Sequence, residues 1–511
     1  MKYFKFTFLF FITVSSFLTA QTAPAIEWGK SLGGNYIELS PDIYQTSDGG
    51  YITAGASNSQ NGDVTGNHGS LDYWVVKLES NGNIQWQKSF GGTADDQAHS
   101  VRQTADGGYI VAGSTESTNG QVTGNHGNND YWVIKLDASG SLEWQKTLGG
   151  SSNDIARSVR QTSDGGYIVA GSSSSSNGDI SGNHGGSDYW IVKLTSTGNI
   201  QWEKSLGGNN SDDASSIAQT TDNGYIIAGT SSSNNGDVTG NHGDTDYWVV
   251  KINSAGVLQW QKSLGGSSTE TGQAIAQTQD SGYIVAGSSS SDNGDITGNH
   301  GSFDYWVVKL NSAGNLQWQK SFGEIYYDYA FDIKNTNDGG YIVSGFSEST
   351  AIKGFGSNDY WMIKLLPDGN IEWDKKLGGL TDDYATAAQQ TADGGYVISG
   401  FSNSVTPPPA LHYNYWIVKL LGNKELGIAE NSGSNTSVLY PNPAKDIIYI
   451  DHLSGETLIN ITDMSGRKLF SQKFTDKKVA IDTSPFINGV YMIQVQDKGK
   501  IILSDKLIIK K

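Results

Sequence analysis

Cysteine is absent from the chain, which removes a disulfide framework, a thiolate nucleophile and a lipid-bearing cysteine together and leaves packing to supply stability. Arginine is nearly absent as well, with only Arg102, Arg157, Arg160 and Arg467. A formal net charge of −18 with so few arginines excludes a nucleic-acid or anionic-membrane surface, because both need clustered Lys and Arg. Beyond residue 20 no apolar run approaches the roughly 20 residues of a spanning helix, so no transmembrane segment is expected in the mature chain. A Gly-x-Ser-x-Gly elbow in a strand-turn-helix setting, His-Glu-x-x-His and a P-loop are missing too. Paired carboxylates recur so widely that no single pair stands out as a glycosidase-like acid and base.

What the chain does have is glycine, at 65 residues, with abundant Ser and Asn, a composition of turn-rich all-β structure. It also has a rhythm. Tyr-Trp pairs stand at 73/74, 131/132, 189/190, 247/248, 305/306, 360/361 and 415/416. A second series, Trp28, Trp86, Trp144, Trp202, Trp260, Trp318 and Trp373, keeps the same step, and the two series use all 14 tryptophans. Units repeated at fixed period bury their apolar faces only against neighbours. Ahead of the array, Met1 to Ala20 carries Lys2 and Lys5, an apolar run from Phe6 to Leu18 and the small Ala20 before Gln21. This predicts a secretory signal peptide over 1–20, cleaved between Ala20 and Gln21.

Each unit has four strand-like runs. In the second unit these are Ala98 to Thr104 (a), Tyr109 to Ser114 (b), Tyr131 to Leu136 (c) and Leu142 to Lys146 (d), with Asp106-Gly107-Gly108 turning a into b. The chain opens on a d run, Ile26 to Ser31, and the array closes on a c run, Tyr415 to Leu420. The phase offset predicts an all-β fold: a seven-bladed β-propeller of four-stranded blades over 21–421, whose N-terminal strand closes the ring and leaves no open edge. An open solenoid is the alternative architecture. The repeats resemble bacterial seven-bladed propeller repeats of the Asp-x-Ala … Gly-Gly-Tyr-Ile-Val-Ala-Gly type, seen as Asp154-Ile155-Ala156 and Gly166-Tyr167-Ile168-Val169-Ala170-Gly171. That resemblance implies fold and little about function.

At residues 422–436 the rhythm stops in a linker-like stretch, and 437–511 reads as a small Ig-like β-sandwich of short alternating strands. Tyr440-Pro441-Asn442-Pro443, then Asn488-Gly489-Val490-Tyr491, then a basic tail stand in order along it. In these features it is similar to the type A C-terminal sorting domain of the type IX secretion system of Bacteroidetes. The resemblance implies recognition by outer-membrane export machinery, passage through the periplasm, and release or surface attachment.

In a meander the d–a and b–c loops share one face of the ring. Glu38, Asp96, Asp154, Asp212, Glu270, Asp328 and Asp383 recur in the first loop, and an aspartate precedes each Tyr-Trp until Asn414. The reading favoured for carboxylates that define the symmetry is that they accept backbone N–H bonds in their turns. The b–c loop offers a sharper alternative: Asn61, Asp63, Thr65, Asn67 and Asp72, with Gly66 at the sixth place, partly match a 12-residue calcium loop. Copies supply Asp179 and Asp188, Asp237 and Asp246, and Asp295 and Asp304. Calcium is thus a candidate cofactor, held at roughly 0.1 to 1 mM. His68, His126, His184, His242 and His300 in the same loops are expected to be solvated. Residues that break the symmetry are better placed to choose a ligand: Tyr44, Arg102, Arg160 and Lys334, which would line the central channel if run a does. The tryptophans are expected to pack between blades. The function expected is that of a secreted or surface-displayed binding or adhesion protein whose partner is a glycan or a surface protein. A propeller-fold polysaccharide-degrading enzyme and a structural surface component are the alternatives.

Overall fold

The computed structural model describes residues 22–348, 358–404, 412–422, 438–440, 444–451, 453, 456–463, 467–497 and 500–511, and every regular element among them is a β-strand. The expected signal peptide with Ala20 and Gln21, most of the linker and Pro441 to Pro443 lie outside the described residues. The chain divides into two compact units, Met1–Asn423 and Lys424–Lys511.

The first unit holds seven four-stranded antiparallel sheets, each a meander ordered a-b-c-d, as in Asp154–Gln161, Tyr167–Ser173, Asp188–Leu194 and Ile200–Leu206. The last sheet draws a, b and c from Asp383–Gln390, Tyr396–Ser402 and Asn414–Leu420, and its d strand from the N-terminal Ile26–Leu32. Leu32 pairs with Tyr415 and Ile26 with Leu420, so the ring closes as a seven-bladed propeller rather than an open solenoid.

Burial follows strand position. Strand c, in the middle of each sheet and covered on both faces, is buried along its whole length in Asp188–Leu194, and the outer strand d is exposed or half-buried until its last two residues, as in Ile200–Leu206. The cores lie between blades: Tyr73 and Val75 of the first blade pack with Val111, Trp132 and Ile134 of the second. The Tyr73 and Trp132 rings meet at 4.6 Å, and Trp144 meets Tyr167 of the next blade at 5.8 Å, so both tryptophan series join neighbouring blades. Each Tyr hydroxyl of the Tyr-Trp pairs donates to the carbonyl of the next blade's Trp, from Tyr73 to Trp132 at 2.8 Å round to Tyr415 and Trp74 at 3.4 Å. Glycine in strand b makes room for that hydroxyl: a Cβ on Gly171 would sit 2.8 Å from Tyr131 Oη and 2.0 Å from Ile155 O.

A bulge in strand a, between Ala156 and Ser158 for example, lifts one residue out of the ladder. That residue, Arg157 in the third blade, lines the central channel. At the other end of the strands, Asp106 of the a–b turn pairs with buried Lys135 of strand c at 2.9 Å, and every blade repeats this pair.

The second unit has two antiparallel sheets, Val438–Tyr440, Ile447–Asp451 and Val479–Asp482 in one, Lys468–Phe474, Thr457–Asp463, Gly489–Asp497 and Lys500–Ile509 in the other. Ile448 and Ile450 from the first and Ile459, Ile461, Ile493 and Leu507 from the second share one core.

Candidate functional site

Seven a strands stand side by side around the channel and line it in layers set by their bulge and pleat. The mouth on the d–a and b–c loop face, about 700 Å³, is lined by His99, Arg157, Phe331 and Phe401 among others. A waist of about 110 Å³ follows, where Asp42, Ser100, Ser158, Ser216 and Asp332 stand. The mouth on the a–b turn face, about 610 Å³, is lined by Tyr44, Arg102, Arg160, Lys334 and Gln389 on one part and by Ala218, Ile275 and Ala276 on the rest. The symmetry-breaking set read from sequence is thus gathered in one place.

Waist side chains also staple the blades together. Ser100 and Ser158 accept backbone N–H bonds from Val159 and Ile217 at 3.3 and 3.4 Å, and Asp42 and Asp332 do the same for Val101 and Ala388 at 3.0 and 3.3 Å. Two cations answer the two carboxylates: Arg102 pairs with Asp42 and Lys334 with Asp332. Burial pushes the Asp42 carboxyl up, but Arg102, Lys334 and Arg160 more than reverse this and hold it below its usual range. The Arg102 guanidinium also lies 5.5 Å from the centroid of the Tyr44 ring. In the opposite mouth Arg157 Nη1 stands 3.2 Å from His99 Nε2, and burial, then the Arg157 charge, keeps His99 neutral, well below its usual value.

On the loop face the recurrent carboxylates are buried, and most accept bonds within their turns on one oxygen, while the other oxygen of Asp72, Asp130, Asp154, Asp188, Asp246, Asp304 and Asp328 has no hydrogen-bond partner among the described residues. Asp96 accepts from Gly92 N and Ser117 Oγ, both at 2.8 Å, and from Thr115 Oγ1; burial still raises it to about 6. Asp72 accepts from His68 N at 2.8 Å and lies 2.7 Å from His68 Nδ1, and the pattern recurs at Asp130, Asp188, Asp246 and Asp304. The five loop histidines are exposed, as expected of solvated loop residues, and each is also tied to a carboxylate.

At the first four candidate positions of the calcium-like loop a side-chain oxygen is engaged by a different protein group, while Asp72 keeps one oxygen without a hydrogen-bond partner among the described residues. Asn61 Oδ1 accepts from Asn35 N at 2.9 Å, Asp63 from Gly33 N at 3.1 Å and Asn67 Oδ1 from Gly69 N at 3.1 Å, and Thr65 Oγ1 meets Gln87 Nε2. Asp179, Asp237 and Asp295 repeat the Asp63 contact on Gly149, Gly207 and Gly265 at 3.2, 3.3 and 3.3 Å. Among the described residues no three His, Cys, Asp or Glu side chains gather as a metal-binding group.

One feature of this face was not read from the sequence. In the sixth and seventh blades the second residue of a and the sixth of b are both aromatic, Tyr329 opposite Phe346 and Tyr384 opposite Phe401. The other blades have Gln97 and Ser114, Asp213 and Thr230 or similar pairs there. Phe303, Tyr329, Phe346, Tyr384, Phe401 and Tyr413 form a chain of rings with successive centroids 4.8 to 5.4 Å apart, and Tyr327 beside it is 46% exposed. Phe401 and Phe331 carry the track into the channel mouth beside Arg157. The signal was present in the repeats, as aromatic substitutions at two strand positions confined to two blades, but only strand pairing shows that they stack.

In the second unit Tyr491 packs against Phe486 at 5.3 Å and donates to Ile487 O at 2.9 Å. Asn488 Oδ1 accepts from the Lys511 N–H at 2.7 Å, Gly489 opens the strand leading to Tyr491, and Tyr440 reaches Asp451 at 3.3 Å.

Fold and terminal module define an exported, seven-bladed propeller protein with a β-sandwich address at its C-terminal end. Residues 438–510 match the secretion system C-terminal sorting domain, the type IX sorting tail, which marks the chain for the outer cell surface or the medium. A 232-residue stretch is 28% identical to the regulatory protein FlaEY of Caulobacter vibrioides, covering 42% of this chain but 24% of that relative, so the match spans about a quarter of the relative's length. Among solved structures the chain is similar to PorZ, a surface component of the type IX secretion system of Porphyromonas gingivalis, at TM-score 0.42 and 14% identity over 94% of this chain and 60% of that one. It is also similar to the Pan2 WD40 domain of Neurospora crassa, at TM-score 0.41 and 11% identity over 76% and 89% of the two chains.

Proposed function

We propose that the protein is a binding platform of the cell surface or medium that presents the aromatic sector of its sixth and seventh blades to a glycan. The observation that carries this reading is the track of packed rings from Phe303, at the edge of the fifth blade, through the sixth and seventh blades to Tyr413, continuous with the channel mouth. The face of a sugar ring packs on aromatic rings, and a rigid sheet holds those rings without loss of side-chain freedom on binding. Polar groups beside the track, Arg157, Gln273 and Thr386, supply the directed contacts that would fix a sugar's orientation. A surface protein is the other partner class, and the same platform would serve it through aromatic anchors.

The test is a glycan array with the purified protein, followed by Tyr384→Ala and Phe401→Ala. Binding to a defined set of glycans, weakened at least tenfold by either substitution with an unchanged melting temperature, is expected. Binding that both variants retain in full would move the site elsewhere. Turnover of a bound polysaccharide would replace the binding reading with a catalytic one.

A further inference from the structure

Three of the chain's four arginines line one channel in a protein of net charge −18, and the second unit holds the fourth. In the turn-face mouth the cations facing the channel from the a strands are Arg102, Arg160 and Lys334, and the carboxylates beside them at the waist are Asp42 and Asp332; Arg157 reaches the waist from the loop-face side. Arg102 and Lys334 each have a carboxylate partner. Arg160 has none within ion-pair distance among the described residues: its Nη1 donates to Val159 O at 2.7 Å and to Ser100 Oγ at 3.4 Å. Its remaining N–H groups, on Nε and Nη2, make no hydrogen bond with the described residues, and a half-buried guanidinium cannot give up its charge at neutral pH. Burial, then the neighbouring Arg102 charge, lowers its pKa to about 9, which still leaves it cationic. The mouth therefore carries one positive charge more than its own carboxylates balance, and one planar fork of donors open to a cavity of about 610 Å³.

We propose that this mouth is a binding site for an oxyanion, a carboxylate or sulfate carried on a ligand of monosaccharide size, held by the free edge of Arg160 between Arg102 and Lys334. A carboxylate meets a guanidinium edge through two parallel hydrogen bonds, the geometry that distinguishes Arg from Lys. The volume suits one sugar ring, since small-molecule sites run from about 300 to 1,000 Å³. Tyr44, 36% exposed, stands at the wall, and the short side chains of Ala218 and Ala276 occupy the arc between Arg160 and Lys334. The site lies at the opposite end of the strands from the aromatic sector, so it stands whether or not that sector binds glycans.

The experiment is isothermal titration of the purified protein with galacturonate, sodium sulfate and galactose at constant ionic strength. Galacturonate and sulfate are expected to bind, with galacturonate at least tenfold tighter than galactose; sulfate binding alone would assign the site to a free anion, and galacturonate binding alone to an acidic sugar. Arg160→Gln should weaken the anion at least tenfold, and Arg160→Lys should restore only part of it because the fork is lost. Ala218→Glu, which puts a carboxylate into the arc between Arg160 and Lys334, should abolish binding with Arg160 intact and so guards against a misfolded Gln variant. Anions that bind no better than galactose, or affinities that Arg160→Gln and Ala218→Glu leave unchanged, would overturn the proposal. Tyr384→Ala should leave this titration unaltered, which separates it from the glycan reading.

Discussion

Asp359 shows how one residue can expose the rule that its counterparts obey. In five blades the aspartate that opens strand c is buried and held by a histidine four residues earlier, as Asp188 is by His184 at 2.7 Å. Blade six has no such histidine in its sequence, and neither oxygen of Asp359 finds a hydrogen-bond partner among the described residues. Burial, then the Asp383 charge, raises Asp359 to about 7. In blade seven the position is Asn414, a neutral residue of the same shape. A folded pKa raised above its unfolded value means that the native state holds the proton more tightly. The stabilisation is complete at pH values below the ordinary carboxylate range and is lost as pH rises through 7. Asp359→Asn should therefore stabilise the protein at pH 8, by about 1–3 kcal/mol with one pKa unit corresponding to about 1.4 kcal/mol, and the gain should shrink towards pH 5. Paired thermal melts at the two pH values decide it; a gain independent of pH would show that ionisation is not the cause. From sequence the recurrent acids were legible as turn acceptors because they repeat. The histidine partnership was not, because it depends on how a glycine-rich loop folds back over four residues.

At the scale of the element, the strand Ile26–Leu32 carries the closure of the ring. Removing residues 22–33 would uncover the outer edge of Asn414–Leu420 and the pairing groups of Tyr415 to Leu420. An unpaired edge of that length is a template for association with another copy. The shortened protein should melt at least 10 °C lower and scatter light as oligomers, and a synthetic peptide of residues 22–33 added in trans should reverse both. A shortened protein with the parent's melting temperature and a monomer's mass would mean that this strand adds nothing to the ring. The existence and phase of this strand were readable because seven d runs and seven a-b-c triplets are displaced by one strand. The aromatic sector was less readable, since Tyr384 and Phe401 are neighbours only through the a–b register.

For the whole molecule, the sorting domain and the propeller divide the work: one supplies the address and the other the surface that is delivered. Deleting residues 438–511 removes the matched sorting domain and should leave the propeller inside the cell envelope, read by immunoblot of medium, surface and periplasmic fractions. Unchanged delivery to the surface or medium would refute the dependence on that domain. Architecture was the most legible feature because the same packing problem is solved seven times over, with tryptophans marking each solution. The proposed ligand sites were the least legible, because they rest on departures from the repeat, such as Arg160 beside Ser100 and Tyr329 opposite Phe346, whose neighbours appear only when seven strands stand around one axis.

The ring of tyrosine hydroxyls has a consequence for the order in which the protein is made. Each Tyr-Trp link joins a blade to the next one synthesised, except the link from Tyr415 back to Trp74, and Ile26 waits for Leu420. Such long-range pairing makes closure a late and slow step. The nascent propeller therefore stays an open arc until its last blade has left the ribosome, which lengthens the interval during which a translocation channel can still thread it.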